Sequence, residues 1–316
     1  MSAIKRMARM LEASQQQKDE DELPVVSYRS RGSANQPDEF GDDHFIKTVM
    51  SMDSAPEEFR SGSEYIHVSG LIDYCARKES LAFSNRLAGG GARMRKVMAA
   101  DRIIWAIGRA VESHVRAQFV EGTRGAGVIG EWSCKCGQTT KRGEMPRTIC
   151  RTCGEKASKY GEYTLRDDVR KVVGNPDLLY ERPDNGAVRV VEIKSMNVNQ
   201  YKELESPVAH HVLQAACYHR LLRENGFTPD DIVSIFYACK DFHPKPYKEF
   251  HVVIDEHISA RIDDLFELAA TRSEWIESHK AGGCVSLPER LGACSSPTAT
   301  RAKNCPECLG CFSRNS

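Results

Sequence analysis

From about residue 65 onwards, apolar and polar residues follow regular patterns that predict a mixture of helices and strands. A helical period of apolar positions, together with a Ser206-Pro207 pair typical of a helix start, predicts helices at residues 96–120, 207–224 and 259–279. Shorter apolar runs rich in β-branched residues predict a strand pair within residues 172–195 and strands at 232–239 and 250–254. The sequence therefore predicts an α/β protein.

Three segments depart from this pattern and set the expected domain boundaries. Residues 1–62 contain few apolar runs and cannot bury enough surface to offset the entropy of ordering, so we expect a loosely ordered segment. Residues 132–160 hold four cysteines and few large apolar side chains, which is typical of an inserted module. Residues 281–316 look loop-like and hold five cysteines. The helical part of the main domain is then expected at 63–131, and its core at 161–280.

Composition narrows the class of protein only a little. Lysine plus arginine and aspartate plus glutamate both total 44, so any nucleic-acid binding must come from a local site rather than from net charge. The chain has neither an apolar run of about 18 residues nor a basic-then-apolar leader, so we expect no membrane span, no secretory signal and a cytoplasmic location. Twelve cysteines in such a protein more often bind metal than form disulfides.

The most informative stretch is a predicted β-hairpin between Asp177 and Lys194. Turn residues occupy positions 183–186, and a four-residue loop there makes the numbers of paired residues sum to 369. Asp177 then lies opposite Glu192. Lys194 shares their face, because side chains two apart on a strand point the same way. A two-residue loop would pair Asp177 with Lys194 instead and would leave the same three residues together.

Two carboxylates and an ammonium group on one face form a candidate site for a metal and a phosphate. Adjacent carboxylates repel each other and favour a divalent cation between them, and Mg²⁺ or Mn²⁺ prefers such oxygen ligands. Lys194 can orient a water molecule or stabilise negative charge that develops on a phosphate. The alternative interpretation is a surface hairpin with an ordinary cross-strand salt bridge.

Two of the predicted helices carry polar groups that can reach this hairpin. The helix at 207–224 places His210, Gln214 and Tyr218 on one stripe at four-residue spacing, although a simply solvated face would have the same pattern. On the helix at 96–120, Glu112 lies one turn beyond Gly108, a glycine that permits close packing.

The chain thus contains four short motifs in sequence order: Gly108-x-x-x-Glu112, Gly174-x-x-Asp177, Glu192-x-Lys194 and Gln214-x-x-x-Tyr218. This order resembles the PD-(D/E)xK nuclease superfamily, and within it the RecB-like branch that includes CRISPR-associated exonucleases and many phage relatives. The resemblance covers residues 65–312 without the cysteine-rich insertion. It implies a restriction-endonuclease-like core, with a central mixed sheet flanked by helices.

The resemblance also implies roles for individual residues. The ligands of a Mg²⁺ or Mn²⁺ ion would be Glu112, Asp177, Glu192 and the Ile193 carbonyl. Lys194 would be the catalytic lysine, while Gln214 and Tyr218 would position the substrate or that lysine.

The position of Glu112 departs from the usual pattern of this branch. RecB-like nucleases generally have histidine there, although some relatives, such as phage recombination exonucleases, use glutamate. His114 is an alternative ligand, but two residues further along a helix its side chain points to a different side.

The function implied by the resemblance is metal-dependent DNA cleavage. The leading expectation is an exonuclease acting on single strands or DNA ends in phage or bacterial recombination, repair or degradation, in the host cytoplasm if phage-encoded. DNA is the expected partner, and replication or recombination proteins are candidate partners. A structure-specific endonuclease, a non-catalytic nucleic-acid-binding module, a redox-sensing cluster protein and a zinc-structured adaptor are the alternatives. A pure binding module would not need Asp177, Glu192 and Lys194 together.

Two close cysteine pairs in the insertion predict a structural zinc ribbon. Cys134-x-Cys136 and Cys150-x-x-Cys153 are separated by thirteen residues. A glycine follows each pair and allows the tight turn around a tetrahedral thiolate site. Basic residues surround the pairs, so the ribbon can also contact phosphates, or its charge can simply be solvated.

A second set of cysteines lies near the two ends of the predicted domain, and the same resemblance implies that they join those ends. Cys75 resembles the N-terminal cysteine of iron–sulfur members of the RecB-like branch, in which one N-terminal and three C-terminal cysteines hold a [4Fe–4S] cluster. The C-terminal candidates number one more than required: Cys294, Cys305, Cys308 and Cys311. Cys294 and Cys308 are alternatives for the third ligand of that group, and zinc is the competing metal.

Overall fold

The structure is a computed structural model, and it describes residues 57–58, 63–72, 74–89, 94–95, 98–137, 139–141, 150, 152–155, 159–283 and 286–313. The loosely ordered segment expected at residues 1–62 lies outside the described residues, except for residues 57–58. Cys284 also lies outside them.

The described part of the chain contains both helices and strands. Its strands are β1 (Glu57–Glu58), β2 (Ile66–His67), β3 (Met94–Arg95), β4 (Val128–Ile129), β5 (Glu131–Ser133), β6 (Thr139–Lys141), β7 (Lys159–Gly161), β8 (Leu165–Asp167), β9 (Val172–Gly174), β10 (Leu178–Glu181), β11 (Val188–Met196), β12 (Ile232–Cys239) and β13 (Tyr247–Val253). Its α-helices are α1 (Val68–Ile72), α2 (Ala76–Leu87), α3 (Ala99–Gly122), α4 (Val198–Glu203), α5 (Ala209–Glu224), α6 (Glu256–Lys280), α7 (Thr300–Lys303) and α8 (Cys308–Ser313).

A five-stranded mixed sheet forms the centre of the fold, in the order β13-β12-β11-β10-β4. Strands β11 and β12 are parallel, and the other neighbours are antiparallel. Helix α5 connects the two parallel strands and packs on one face of the sheet, with α6 against it, while α3 packs on β11 from the opposite face. The expected central mixed sheet flanked by helices is confirmed.

The register of the hairpin is the predicted one. Leu178 pairs with Val191 and Glu181 pairs with Val188. The Arg182 N–H donates to the Ala187 carbonyl at 2.8 Å and closes the four-residue loop. The prediction of a single strand pair within residues 172–195 was incomplete, however, because three strands lie there. Strand β9 belongs to a second sheet, β2-β9-β8, and the chain crosses to β10 through Pro176, which has no N–H to donate to a ladder.

Helix α5 begins two residues later than Ser206-Pro207 predicts. Its N-cap is Val208, which has an extended backbone, and Ala209 is the first helical residue. The Val208 N–H donates to the Tyr237 hydroxyl at 2.9 Å. The backbone N–H groups at the start of a helix have no hydrogen-bond partner within the helix. The Tyr237 hydroxyl supplies that partner for the Val208 N–H.

The cysteine-rich segment forms a three-stranded antiparallel sheet, β6-β5-β7, which we call the ribbon. Its buried Trp132 packs in one cluster with Cys134 and Cys150, and the same cluster includes Val191 and Ile193 of β11. The ribbon therefore shares its apolar core with the central sheet.

Gly174, the glycine of the second motif, is required by packing. A Cβ at this position would lie 2.5 Å from the Tyr218 ring and 2.8 Å from Val68, and both of those side chains are buried. We expect Gly174→Ala to lower the free energy of unfolding by about 1–3 kcal/mol, as overpacking does. Gly122→Ala is the control, because a Cβ there meets no atom within 4 Å. Urea unfolding followed by circular dichroism measures both, and equal stability of the two variants would contradict the packing argument.

Candidate active site

The hairpin brings two carboxylates and a lysine to the edge where the chain passes between sheets. Asp177 immediately precedes β10, and its Oδ2 accepts a hydrogen bond from the Ile193 N–H at 2.7 Å. Glu192, in the middle of β11, is only 1% exposed. The Lys194 Nζ lies 2.5 Å from the Glu192 Oε1. The three residues therefore form one connected group around β11.

Glu192 has unused capacity to bind a cation. Its Oε2 has no hydrogen-bond partner among the described residues, although the side chain is fully buried. Burial raises the pKa of Glu192 to about 7, and the neighbouring Lys194 opposes that rise. A buried polar atom without a partner is costly, so a carboxylate in this position fits a metal ligand.

Helix α3 and the residue after the ribbon add two more carboxylates. Glu112, Glu162 and Asp177 each place one oxygen within 4.8 Å of the others, close enough to share a metal ion. Gly108, one turn earlier on α3, faces Ser195 on β11, and a Cβ there would make an ordinary van der Waals contact with the serine hydroxyl at 3.4 Å, so the close packing expected of this glycine is not required. His114 is exposed, so the structure brings Glu112 rather than His114 to the group.

Two residues of this group, Glu162 and Arg116, were not predicted from the sequence. Arg116 donates to the Glu162 Oε1 at 2.6 Å and to the Asp177 carbonyl at 3.1 Å, and it lies 3.5 Å from the Glu112 carboxylate. The helical i,i+4 spacing of Glu112 and Arg116 is a signal that could have identified the arginine. Glu162 lies 50 residues from Glu112 along the chain and belongs to none of the four motifs.

The pKa values of the site reflect crowded negative charge. Burial raises the pKa of Asp177 well above its usual range, and the charges of Glu192 and Glu112 raise it further. Burial lowers the pKa of Lys194, but the carboxylates of Glu192 and Asp177 outweigh this effect and raise it overall. The lysine is therefore an ammonium group at neutral pH, and the carboxylates benefit from any added positive charge.

The polar stripe of α5 lies partly beside the hairpin. Gln214 donates to the Tyr218 hydroxyl at 3.2 Å. Burial raises the pKa of Tyr218, and the nearby charge of Glu192 adds to the rise, so its hydroxyl keeps its proton. His210 is half-buried, and its ring centroid lies 6.1 Å from that of His211. His211 bonds to the Tyr237 hydroxyl at 2.9 Å.

The four ribbon cysteines converge on one point. Their sulfur atoms all lie within 4.8 Å of one another, with Cys134 and Cys153 at 3.3 Å and Cys136 and Cys150 at 3.5 Å. A tetrahedral zinc site with Zn–S bonds of about 2.3 Å has sulfur–sulfur edges of about 3.8 Å, so the group fits a zinc ion. Backbone N–H groups of residues 153 and 152 lower the pKa of Cys150 to about 6, whereas hydrogen bonds with the Cys134 and Cys136 thiols raise the pKa of Cys153, so Cys150 is the thiol of this pair that more readily becomes the thiolate that metals bind.

The second set of cysteines surrounds one cavity between the start of α2 and the C-terminal segment. Its lining includes five thiols: Cys75, Cys294, Cys305, Cys308 and Cys311. Burial raises the pKa of both Cys294 and Cys305, with a further contribution from the neighbouring Cys75 and Cys311. The Cys308 thiol instead donates to the Pro297 carbonyl, with 3.7 Å between sulfur and oxygen. The cavity can therefore offer several sulfur ligands to a metal or cluster.

No protein-family model and no curated protein matches the chain. Among solved structures, it is similar to an alkaline exonuclease (LHK-Exo) from Laribacter hongkongensis, with 14% identity, a TM-score of 0.41 and coverage of 75% of this chain and 97% of that one. LHK-Exo in complex with dAMP gives 15% identity, a TM-score of 0.42 and coverage of 75% and 98%. A putative exonuclease from Eubacterium rectale gives 13% identity, a TM-score of 0.36 and coverage of 84% of this chain and 92% of that one.

With TM-scores of 0.36–0.42, these similarities do not establish the function of this chain. Within the described residues, no helix combines the length and the apolar character needed to cross a bilayer.

Proposed function

We propose that the chain is a Mg²⁺- or Mn²⁺-dependent deoxyribonuclease whose active site is the group around the β10–β11 hairpin. The observation that carries the proposal is the buried Glu192 carboxylate, which has an unpartnered oxygen and lies between Asp177 and Lys194. An ordinary surface salt bridge would be exposed and would leave no buried oxygen unsatisfied.

The residues divide into ligands and positioning groups. Glu112, Asp177, Glu192 and the Ile193 carbonyl would hold the cation, which when bound polarises a phosphodiester and makes water more acidic. The Lys194 ammonium, held by Glu192, stabilises negative charge on the phosphate as it develops. Gln214 and Tyr218 hold one another beside Glu192 and would position the substrate or the lysine.

Within this class, we propose exonuclease action on single strands or DNA ends, in phage or bacterial recombination, repair or degradation. The support is the order of the four motifs, which resembles the RecB-like branch. A structure-specific endonuclease and a non-catalytic DNA-binding module are the competing functions, and the products of the reaction distinguish all three.

The test is cleavage of end-labelled single- and double-stranded DNA with Mg²⁺ or Mn²⁺, with a chelated sample as control and with protein purified without air. A ladder of products shortened from one end is expected. Discrete internal cuts would indicate an endonuclease instead. A folded, metal-loaded protein that binds DNA and leaves it intact would favour the binding module and would overturn the proposed activity.

For the ribbon at residues 132–160, we propose a structural zinc ion bound by Cys134, Cys136, Cys150 and Cys153. The convergence of the four sulfur atoms supports this assignment. Metal analysis of the purified protein is expected to find zinc, and Cys136→Ser is expected to lose it.

For the C-terminal clasp at residues 281–316, we propose a [4Fe–4S] cluster, with zinc as the competing metal. The four proposed ligands are Cys75, Cys294, Cys305 and Cys311. Cys308 is the spare fifth thiol, because it already donates to the Pro297 carbonyl. A broad iron–sulfur absorption band in visible light and about four irons per chain would distinguish the cluster from zinc, which is colourless.

A further inference from the structure

The ribbon delivers Glu162 directly to the active site. Strand β7, the last ribbon strand, ends at Gly161, and Glu162 is the next residue. Strand β7 pairs with β5, with Trp132 opposite Tyr160 and Glu131 opposite Gly161. The position of Glu162 therefore depends on the ribbon sheet being formed.

Aromatic packing fixes this end of the ribbon. The rings of Trp132 and Tyr160 meet edge to face, with centroids 5.4 Å apart. The Tyr160 hydroxyl donates to the Ile129 carbonyl at 3.3 Å, and Gly130 leaves room for the tyrosine ring, which a Cβ would strike. Trp132 packs in the same cluster as Cys134 and Cys150, with Tyr160 against it, so two of the four proposed zinc ligands and β7 share one small core.

Arg116 connects the ribbon to the carboxylates. Its guanidinium group lies over the Tyr160 ring, 5.9 Å from the centroid, and donates to the Glu162 Oε1 at 2.6 Å. The same group donates to the Asp177 carbonyl and lies beside Glu112. Arg116 uses one carboxylate oxygen of Glu162 and holds that side chain beside Glu112 and Asp177, where the three carboxylates can reach one ion.

The charge of the site calls for a divalent cation. Three carboxylates there can reach one ion, those of Glu112, Glu162 and Asp177. Glu192 is close enough for its charge to raise the pKa of Asp177, and among the described residues Arg116 and Lys194 are the basic side chains that form ion pairs with these carboxylates. With all groups ionised, four negative and two positive charges leave a net charge of −2. The buried, unpartnered Oε2 of Glu192 is an independent indication that a ligand belongs in this space.

We propose that Glu162 is a further ligand of the active-site cation and that the ribbon, by holding Glu162, is a working part of the active site. This inference rests on the cation site proposed above and adds to it a residue outside the four motifs. Zinc binding by the ribbon and Mg²⁺ or Mn²⁺ binding by the active site are then linked. The reason is that the zinc-bound ribbon positions Glu162, on which the binding of Mg²⁺ or Mn²⁺ depends.

The first test is Mn²⁺ binding to the full-length protein, measured from the electron paramagnetic resonance signal of free Mn²⁺. Glu162→Gln is expected to weaken binding at least about tenfold. Glu155→Gln is the control, because Glu155 is an exposed ribbon residue. The Mn²⁺ affinity of this variant is expected to equal that of the parent. Melting curves check that both variants fold.

Glu192→Gln separates this inference from the proposed function. Weak Mn²⁺ binding in Glu192→Gln but parent-like binding in Glu162→Gln would overturn the role of Glu162 and leave the nuclease site intact. A zinc-loaded parent that does not bind Mn²⁺ would overturn the cation site itself, and with it both proposals.

The second test removes a ribbon ligand rather than a carboxylate. Cys136→Ser is expected to lose ribbon zinc and to weaken Mn²⁺ binding by a similar factor, although a cysteine at this position is no ligand of Mn²⁺. Loss of zinc with unchanged Mn²⁺ affinity would show an independent ribbon and contradict the linkage. If Cys136→Ser does not fold, Glu162→Gln still decides the proposal, because it leaves all four cysteines in place.

Discussion

Lys194→Ala is expected to reduce metal-dependent DNA cleavage by roughly 100- to 1,000-fold, the loss seen when one group that stabilises transition-state charge is removed. The Lys194 Nζ lies 2.5 Å from Glu192 at the edge of the carboxylate group, so it is placed to meet a phosphate held there. A lysine is not a ligand of Mg²⁺ or Mn²⁺. Mn²⁺ affinity is therefore expected to stay the same or to rise, since a competing positive charge has been removed.

The control for Lys194→Ala is Lys202→Ala, which removes an exposed lysine from α4 and is expected to leave cleavage unchanged. Single-turnover cleavage of end-labelled DNA measures the rates, and a binding assay with chelated metal shows that the substrate still binds. Parent-like cleavage by a folded Lys194→Ala protein would remove the lysine from the mechanism and would favour a structural ion pair.

Cys75→Ser is expected to lower the stability of the protein more than Cys308→Ser does, because Cys75 is a proposed ligand of the cluster and Cys308 is not. Cys75 occupies the N-cap position of α2, without a side-chain capping hydrogen bond, and lines a cavity with thiols more than 200 residues later in the chain. The free energy of metal binding at such a site is part of the free energy of folding. A loss of about 3–5 kcal/mol corresponds to a fall in melting temperature of roughly 10 °C for a domain of this size.

Hydrogen bonds between α2 and the clasp remain in that variant, so its fold should loosen rather than disappear. Arg77 donates to the Pro288 carbonyl at 3.0 Å, and Asn85 donates to Glu307 at 3.2 Å. Cys308→Ser is the matched control and is expected to keep both iron and melting temperature. Thermal melting with iron and zinc analysis measures the pair. Unchanged melting and metal content in Cys75→Ser would contradict the clasp.

The sequence predicted the hairpin well because its information is local. The turn residues at 183–186 set a four-residue loop, and this loop alone determines which residues of β10 and β11 face each other. The bounds of β12 were also predicted correctly, from a short and mainly apolar run. The predicted start of α5 was wrong by two residues, because a tertiary hydrogen bond from the Val208 N–H to the Tyr237 hydroxyl outweighs the local Ser206-Pro207 signal.

The features that the sequence did not reveal depend on contacts between distant segments. The strands of the second sheet are two or three residues long, which is too short to produce an alternating pattern of apolar and polar residues. The chain passes from the second sheet to the central sheet near Pro176, between two short apolar segments that the sequence pattern does not separate. The carboxylate of Glu162 comes to the group from the end of the ribbon, whose Trp132 packs in one cluster with Val191 and Ile193 of β11. No spacing rule relates residues that an inserted module brings together.

The most direct test of the central claim is DNA cleavage by Glu192→Gln, compared with the parent in the same Mg²⁺ or Mn²⁺ buffer. Glutamine keeps the size of the buried side chain and removes its charge, so the variant is expected to fold. It is expected to bind Mn²⁺ weakly and to cleave at least about 1,000-fold more slowly. Cleavage at the parent rate by a folded Glu192→Gln protein would show that the chemistry takes place elsewhere and would contradict the hairpin active site.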